Sequence, residues 1–144
     1  MNLDNDLPTG RLLANVCRLQ ATRADQLMEQ IGLFRGQALL LITLSEQDGL
    51  AHSEIAERLR ISPSAATKVI KRLEALRYLQ RQPDPTDERV SRVYLLPDGR
   101  AVIAQILAAF GKINQMILTG ISPTEQAQLR ELLRRMQVNL EEQG

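Results

Sequence analysis

Residues Ser53 to Gly99 read SEIAERLRISPSAATKVIKRLEALRYLQRQPDPTDERVSRVYLLPDG. Ile55, Ala56 and Leu59 recur on one face of a short helix. Arg60-Ile61-Ser62 interrupts it, and Pro63 stands where a new helix can begin, because a first-turn N–H has no intrahelical partner to lose. Ser62 is placed to cap that helix. Ala66, Val69, Ile70, Leu73 and Leu76 then hold helical spacing, which predicts a helix through about Leu79. Ser64, Thr67, Lys68, Lys71, Arg72 and Arg77 share its opposite face. Two helices joined by a turn of about three residues make a helix-turn-helix. The second helix can lie in a DNA major groove with its first residues at the base edges.

Leu79-Gln80-Arg81-Gln82 reads as a strand, Pro83 to Asp87 as a turn-rich loop, and Val90 to Leu95 alternates as a half-buried strand does. A β-hairpin directly after a helix-turn-helix is a wing. Arg89 lies near its tip, where a long cation can enter a minor groove. Asp87, two residues earlier, can brace that guanidinium with both carboxylate oxygens. From Arg58 to Arg92 there are nine Lys/Arg against four Asp/Glu, a local +5, while the remainder sums to −4 in a chain of net charge +1. Positive charge gathered in one segment is an electrostatic footprint for phosphates. Ser62, Ser64, Ala65, Thr67 and Lys68 are the candidates for base edges, with hydroxyls for several bases and the Ala65 methyl for thymine. Lys71, Arg72 and Arg81 are candidates for phosphates, which position without specifying. No Arg, Asn or Gln occupies the first turn of that helix, so no operator sequence follows from it.

The chain resembles the MarR (multiple antibiotic resistance regulator) family of winged helix-turn-helix transcriptional regulators. The resemblance rests on Glu54-Ile55-Ala56 with Leu59 and Ser62, on Thr67 to Leu73 with Glu74, and most specifically on Asp84-x-x-Asp87-x-Arg89-x-x-x-Val93-x-Leu95 closing on Gly99. Three positions depart from the pattern. Glu88 stands where the family often has a second wing arginine, Ala51 where a Thr N-cap is usual, and Leu96-Pro97 replaces the usual Leu-Thr. The resemblance implies a homodimer formed through both chain ends and a pseudo-palindromic double-stranded operator. It further implies a repressor released by a small aromatic or phenolic effector in a cleft between the DNA-binding lobe and the dimer helices. The wall residues expected for that cleft are Cys17, Gln20, Ala21, Ile42, Leu50, His52 and Arg77. The alternative for each is ordinary packing.

Around this stretch the chain predicts a mainly α fold with a small β-hairpin wing, in one domain over 1–144. Residues 35–99 form the winged helix-turn-helix lobe, and 1–31 and 100–144 a helical dimerisation lobe. Residues 1–8 are expected to be an arm. A long helix spans about Arg11 to Ile31, ended by Gly32. The next, about Arg35 to Gln47, is so apolar that burial on most sides is expected. A helix from about Arg100 to Thr119 precedes Ser122-Pro123-Thr124-Glu125, a capping box opening the last helix. A short extra strand is possible beside the wing. Ile113, Ile117, Leu118, Ile121, Leu129, Leu133, Met136 and Leu140 are either a seam for a second copy or packing against the first helix. A dimer would carry two recognition helices about 34 Å apart, matched to half-sites one turn apart.

Composition excludes other classes. At 144 residues and 44% hydrophobic the chain has enough material for a core. No run is expected to approach the ~20 apolar residues of a membrane span. The acidic start, Met1-Asn2-Leu3-Asp4-Asn5-Asp6, lacks a basic n-region, so no signal peptide and a cytoplasmic location are expected. Aromatics at 3% with no Trp disfavour single-stranded nucleic acid, which wants stacking platforms. Cys17 is alone, so no intrachain disulfide forms; a small buried thiol is expected there, with a redox switch as the alternative. His52 is the only histidine and has no partner for metal binding or catalysis, so a cap or surface role is expected. Asp84 and Asp87 lie on a wing tip rather than in a pocket. No enzyme, cofactor or metal is expected. One reading from another class stays open, prompted by Glu88: a winged-helix interaction or architectural module without sequence-specific binding.

Overall fold

A computed structural model describes residues 7–144. The elements run α1 (Thr9–Ile31), α2 (Arg35–Glu46), β1 (Leu50–Ala51), α3 (His52–Leu59), α4 (Pro63–Ala75), β2 (Leu79–Pro83), β3 (Ser91–Leu95), α5 (Pro97–Leu118) and α6 (Pro123–Glu142). The expected mainly α fold with a hairpin wing is observed, and the possible extra strand is real. Helix α1 starts at Thr9, so of the expected arm only Leu7 and Pro8 fall within the described residues. Gly32 ends α1 in the left-handed region (φ 77), with its N–H on Glu29 O at 3.0 Å and the Leu33 N–H on Met28 O at 3.0 Å.

Helix α2 is the hub. Ala38, Leu40, Leu41 and Leu44 are buried, and α1, α3, α4, β3 and α5 all pack on it. Its apolar run is not buried all round, however: Leu39 is exposed toward a cleft described below. Against α2 sits a three-stranded antiparallel sheet in the order β1-β3-β2. β3 is central, pairing Leu50 with Val93 on one side and Leu79 with Leu95 on the other. These four side chains are all buried in the common core.

Helix α4 stops at Ala75, four residues before the end that its spacing predicts. Leu76 continues the periodicity but is exposed, while Leu79 is needed in the sheet. The chain turns through Arg77 at φ 59, and Tyr78 N–H closes on Leu73 O at 3.0 Å. A left-handed arginine rather than a glycine makes this stop, so no residue type marked it.

Helix α5 begins under β2. Leu96 N–H donates to Tyr78 O at 3.0 Å, and a Cβ added to Gly99 would lie 2.0 Å from that same carbonyl oxygen. No side-chain rotation relieves a clash between two backbones. Gly99→Ala should therefore cost about 2–3 kcal/mol, the upper range for overpacking, read by urea denaturation. Stability equal to the parent would show that α5 is free to slide. Downstream, Val102, Ile106, Ala109 and Ile113 bury one face of α5 against the core beside α1 and α2. At 22 residues α5 is long and apolar enough to cross a membrane, which corrects the expectation that no run would be. In this fold its apolar character serves that buried face and a second, outward one.

Helix α6 is capped as its sequence predicts. Ser122 Oγ accepts from Glu125 N–H at 3.2 Å, and the Glu125 carboxylate accepts from Ser122 N–H at 2.8 Å. Yet α6 buries none of its residues, and Leu132, Leu133, Val138 and Leu140 are exposed. The alternative that the terminal helices pack only on the first helix is therefore wrong for α6. Ile113 also leaves the expected seam, because it is buried inside the protomer.

Candidate nucleic-acid interface

Helices α3 and α4 form the helix-turn-helix. Ala51 offers no oxygen to cap α3, and the Glu54 carboxylate compensates by accepting from the Ala51 N–H at 2.7 Å. Arg60 ends α3 in the left-handed region (φ 53), and Ile61 N–H returns to Ala56 O at 3.0 Å. Ser62 then caps α4, its Oγ accepting from Ala65 N–H at 3.1 Å and lying 3.1 Å from Ser64 Oγ. Ser62, Ser64, Lys68, Lys71 and Arg72 are exposed, and Ala65 is half-buried beside them.

Thr67 is different. It is half-buried, its hydroxyl donates to Pro63 O at 3.0 Å, and His52 Nε2 lies 2.7 Å from the same oxygen. With its one proton given to Pro63, Thr67 accepts there, which makes His52 Nε2 the donor. The Thr67 hydroxyl thus ties α4 to α3 instead of standing free for a base. His52, expected at a cap or on the surface, is the missed partner in this tie. Arg72 lies over the exposed Phe34 ring, 5.6 Å from its centroid. Arg81 is held by Glu74 through two bonds of 3.0 Å, so it is offered to phosphate only as part of an ion pair. That pair holds the Glu74 carboxyl below its ordinary value and raises the guanidinium's. As an exposed pair it adds about 0–1 kcal/mol to stability.

The wing tip is built on Asp84, which is buried. One carboxylate oxygen accepts from Thr86 N–H (2.8 Å), Thr86 Oγ1 (2.7 Å) and Asp87 N–H (3.1 Å), and the other from Arg92 Nε. Arg92 and Thr86 hold this carboxyl far below the usual carboxylate range. Asp84 N–H donates to Val90 O at 2.8 Å, closing the loop. At the tip, Asp87 receives Arg89 Nε at 3.0 Å and Nη2 at 3.2 Å, and the Arg89 side chain is 90% exposed. The Arg89 contact lowers the Asp87 carboxyl as well. The bidentate brace expected from the sequence is present.

Sequence reasoning passed over two anchors below the wing. Asp48 accepts from Leu95 N–H at 2.9 Å and from Arg100 Nη2 at 2.7 Å, joining β3 to α5. Arg92 donates Nη1 to Gly49 O at 2.9 Å. The alternation of Val93 and Leu95 put Arg92 on the outward face of its strand, but nothing local told that it would reach residues 8 and 43 positions away.

A separate cleft of about 440 Å³ opens between α1, α2 and α5. Cys17, Gln20 and Ala21 line it, as expected, together with Arg35, Phe110 and Asn114. Ile42, Leu50, His52 and Arg77 do not: Leu50 is in the core, Ile42 packs against it, His52 holds Thr67 and Arg77 makes the turn after α4. Cys17 is exposed, which corrects the expected buried thiol.

The family model described as "MarR family" matches residues 33–91, from the end of α1 into β3. The HTH-type transcriptional repressor MdtR of Bacillus subtilis (strain 168) is 32% identical over 101 residues, 70% of this chain and 65% of that protein. The crystal structure of the transcriptional regulator SlyA superposes with a TM-score of 0.83 at 29% identity, over 95% of this chain and 96% of that one. The chain belongs to the MarR family. Members of the MarR family are DNA-binding transcriptional regulators rather than enzymes, and this chain is one of them. A further solved structure, at 28% identity with a TM-score of 0.79 over 90% of this chain and 93% of that one, is titled for the regulation of DNA binding of Bordetella bronchiseptica BpsR by 6-hydroxynicotinic acid.

Proposed function

We propose that this MarR-family regulator is a homodimeric repressor that binds a pseudo-palindromic duplex operator and lets go when a small aromatic or phenolic effector binds. The start of α4, with exposed Ser62, Ser64 and Lys68 and half-buried Ala65, enters the major groove, and Arg89 enters the minor groove beside it. Lys71 and Arg72 meet phosphates, with Arg81 as a weaker, paired contributor. The observation that carries this reading is the wing: a guanidinium 90% exposed yet fixed by two bonds to Asp87. Acting on chromosomal DNA, the protein works in the cytoplasm.

Two observations support the finer parts. Among the described residues, none of helix α6 is fully buried in its own protomer and Leu132, Leu133, Val138 and Leu140 are exposed, which a second copy would remedy. The cleft beside Cys17, Gln20 and Ala21 combines apolar walls with the Arg35 cation, suiting a small aromatic acid such as the one named for BpsR. A ligand there favours a half-site spacing that mismatches DNA, and coupling is reciprocal: DNA weakens the ligand as the ligand weakens DNA.

The test is fluorescence anisotropy on a duplex selected by the protein from a random library, against a scrambled duplex, at two salt concentrations. A specific regulator should prefer the selected duplex by ~10³ or more. Its affinity should fall steeply with salt. Equal, weak binding to both would favour the architectural module that Glu88 and the arginine-free first turn of α4 make conceivable.

A further inference from the structure

We propose that Arg92 is a positioning residue for DNA reading: it fixes the wing, and through the wing Arg89, against the helix-turn-helix. This rests on the reading of Arg89 as the minor-groove contact.

Arg92 occupies the one strand paired on both sides. Its backbone faces Ala51, the cap of α3, across one edge and Gln82 of the wing across the other. Its guanidinium spans the same gap. Nε donates to Asp84 at the root of the wing loop, Nη1 donates to Gly49 O in the turn before β1 at 2.9 Å, and Nη1 lies 3.8 Å from Glu54 of α3. Glu54 in turn caps α3 through the Ala51 N–H. One half-buried planar fork therefore connects the start of the helix-turn-helix to the wing loop.

The connection continues to the tip. The Asp84 oxygen that Arg92 does not touch accepts from the Asp87 N–H, and the Asp87 carboxylate grips Arg89. From Gly49 to Arg89 the path is a series of directional hydrogen bonds. Nearer the base, Arg81 of β2 is tied to Glu74 of α4, but beyond Arg92 the β2 residues Gln82 and Pro83 are exposed. A two-stranded hairpin held only at its base is flexible. Without Arg92 the wing stays paired but swings, and Arg89 meets the groove in only a fraction of its positions. Lysine cannot replace the fork, because one ammonium cannot serve Asp84 and Gly49 O in the same geometry.

A double-mutant cycle tests this, using Arg92→Met, Arg89→Ala and the pair, on the library-selected duplex and on a scrambled one. Arg92→Met should weaken binding to the selected duplex by about tenfold while leaving the scrambled duplex within about twofold, the pattern of a lost specific rather than phosphate contact. Adding Arg92→Met to Arg89→Ala should then cost under about twofold more, since the side chain it misplaces is gone. Arg92→Lys should not rescue. Losses that multiply in the pair, or that fall equally on both duplexes, would make Arg92 a structural residue only. If Arg89→Ala itself changes nothing, the minor-groove reading fails, and that outcome is distinct from one in which Arg89 matters and Arg92 does not. Should Arg92→Met unfold, Asp84→Asn decides by the same cycle: its amide keeps an oxygen for Thr86 and Asp87 and presents an NH₂ to Arg92.

Discussion

Leu133→Glu is expected to give a folded monomer that binds operator DNA about 10²–10⁴-fold more weakly, the loss that follows when two tethered contacts become independent. The fold should survive because Leu133 is exposed on a helix with no fully buried residue among those described, and glutamate is a good helix former. Leu133 is 40% exposed and keeps helical spacing with half-buried Leu129 and Met136 and exposed Leu140 on a 20-residue helix. A helix with that much unpartnered apolar surface is unusual for an isolated chain. In the proposed dimer Leu133 lies in a dry seam, and two facing carboxylates there are disfavoured by desolvation and by mutual repulsion. Sedimentation should show half the parental mass, with an unchanged helical circular dichroism signal. The anisotropy titration should shift to high protein concentration. A dimer of parental affinity would move the seam away from this stripe, leaving the exposed faces of α1 and α5, where Leu12, Val16, Leu19 and Leu107 stand open, as the remaining surface.

Much of this was legible in the sequence, and what was not has physical reasons. Short-range chemistry reads well. Ser62 before Pro63, and Ser122 three residues before Glu125, announced α4 and α6, because a cap is settled within one turn of chain. The Asp87–Arg89 brace was readable for the same reason, being two residues long. Long-range polar contacts were not readable. Arg92 and Asp48 anchor the wing and α5 across 43 and 52 positions, and no local pattern fixes which exposed-looking charge will reach such partners. Thr67 and His52 fail alike: each looks like a free polar group until the other, 15 residues away, is placed against it. The overlong α4 came from Leu76, whose spacing is helical but whose side chain is exposed, and the break was made by Arg77 at a φ that arginine seldom adopts. In the cleft proposed to take an effector, the expected residues on α1 line one wall. Ile42 on α2 and those on β1, α3 and after α4 do not, because the core, the sheet and the helix-turn-helix consume them.

Arg89→Ala is expected to weaken binding to the selected duplex by about 1–3 kcal/mol for each wing. In a symmetric dimer both wings lose the contact, so the total is about 2–6 kcal/mol, one to four powers of ten in affinity. The side chain is 90% exposed and, among the described residues, hydrogen-bonds only to Asp87, so the melting temperature should not move, and the loss belongs to recognition rather than folding. The wing loop itself is held by Asp84, whose bonds to Thr86 and Asp87 do not involve Arg89. Arg89→Lys should fall between the two. Lysine keeps the charge that attracts phosphate and a narrow groove but has no fork to lie along Asp87, so its direction is lost. The salt dependence separates the parts played by charge and by shape. The slope of affinity against salt should flatten in the alanine variant, where a cation has left the interface, and stay near parental in the lysine variant, where it has not. Parental affinity in Arg89→Ala would remove Arg89 from the interface and leave α4 to read DNA alone, a poor reader given that its first turn carries only hydroxyls, a methyl and Lys68.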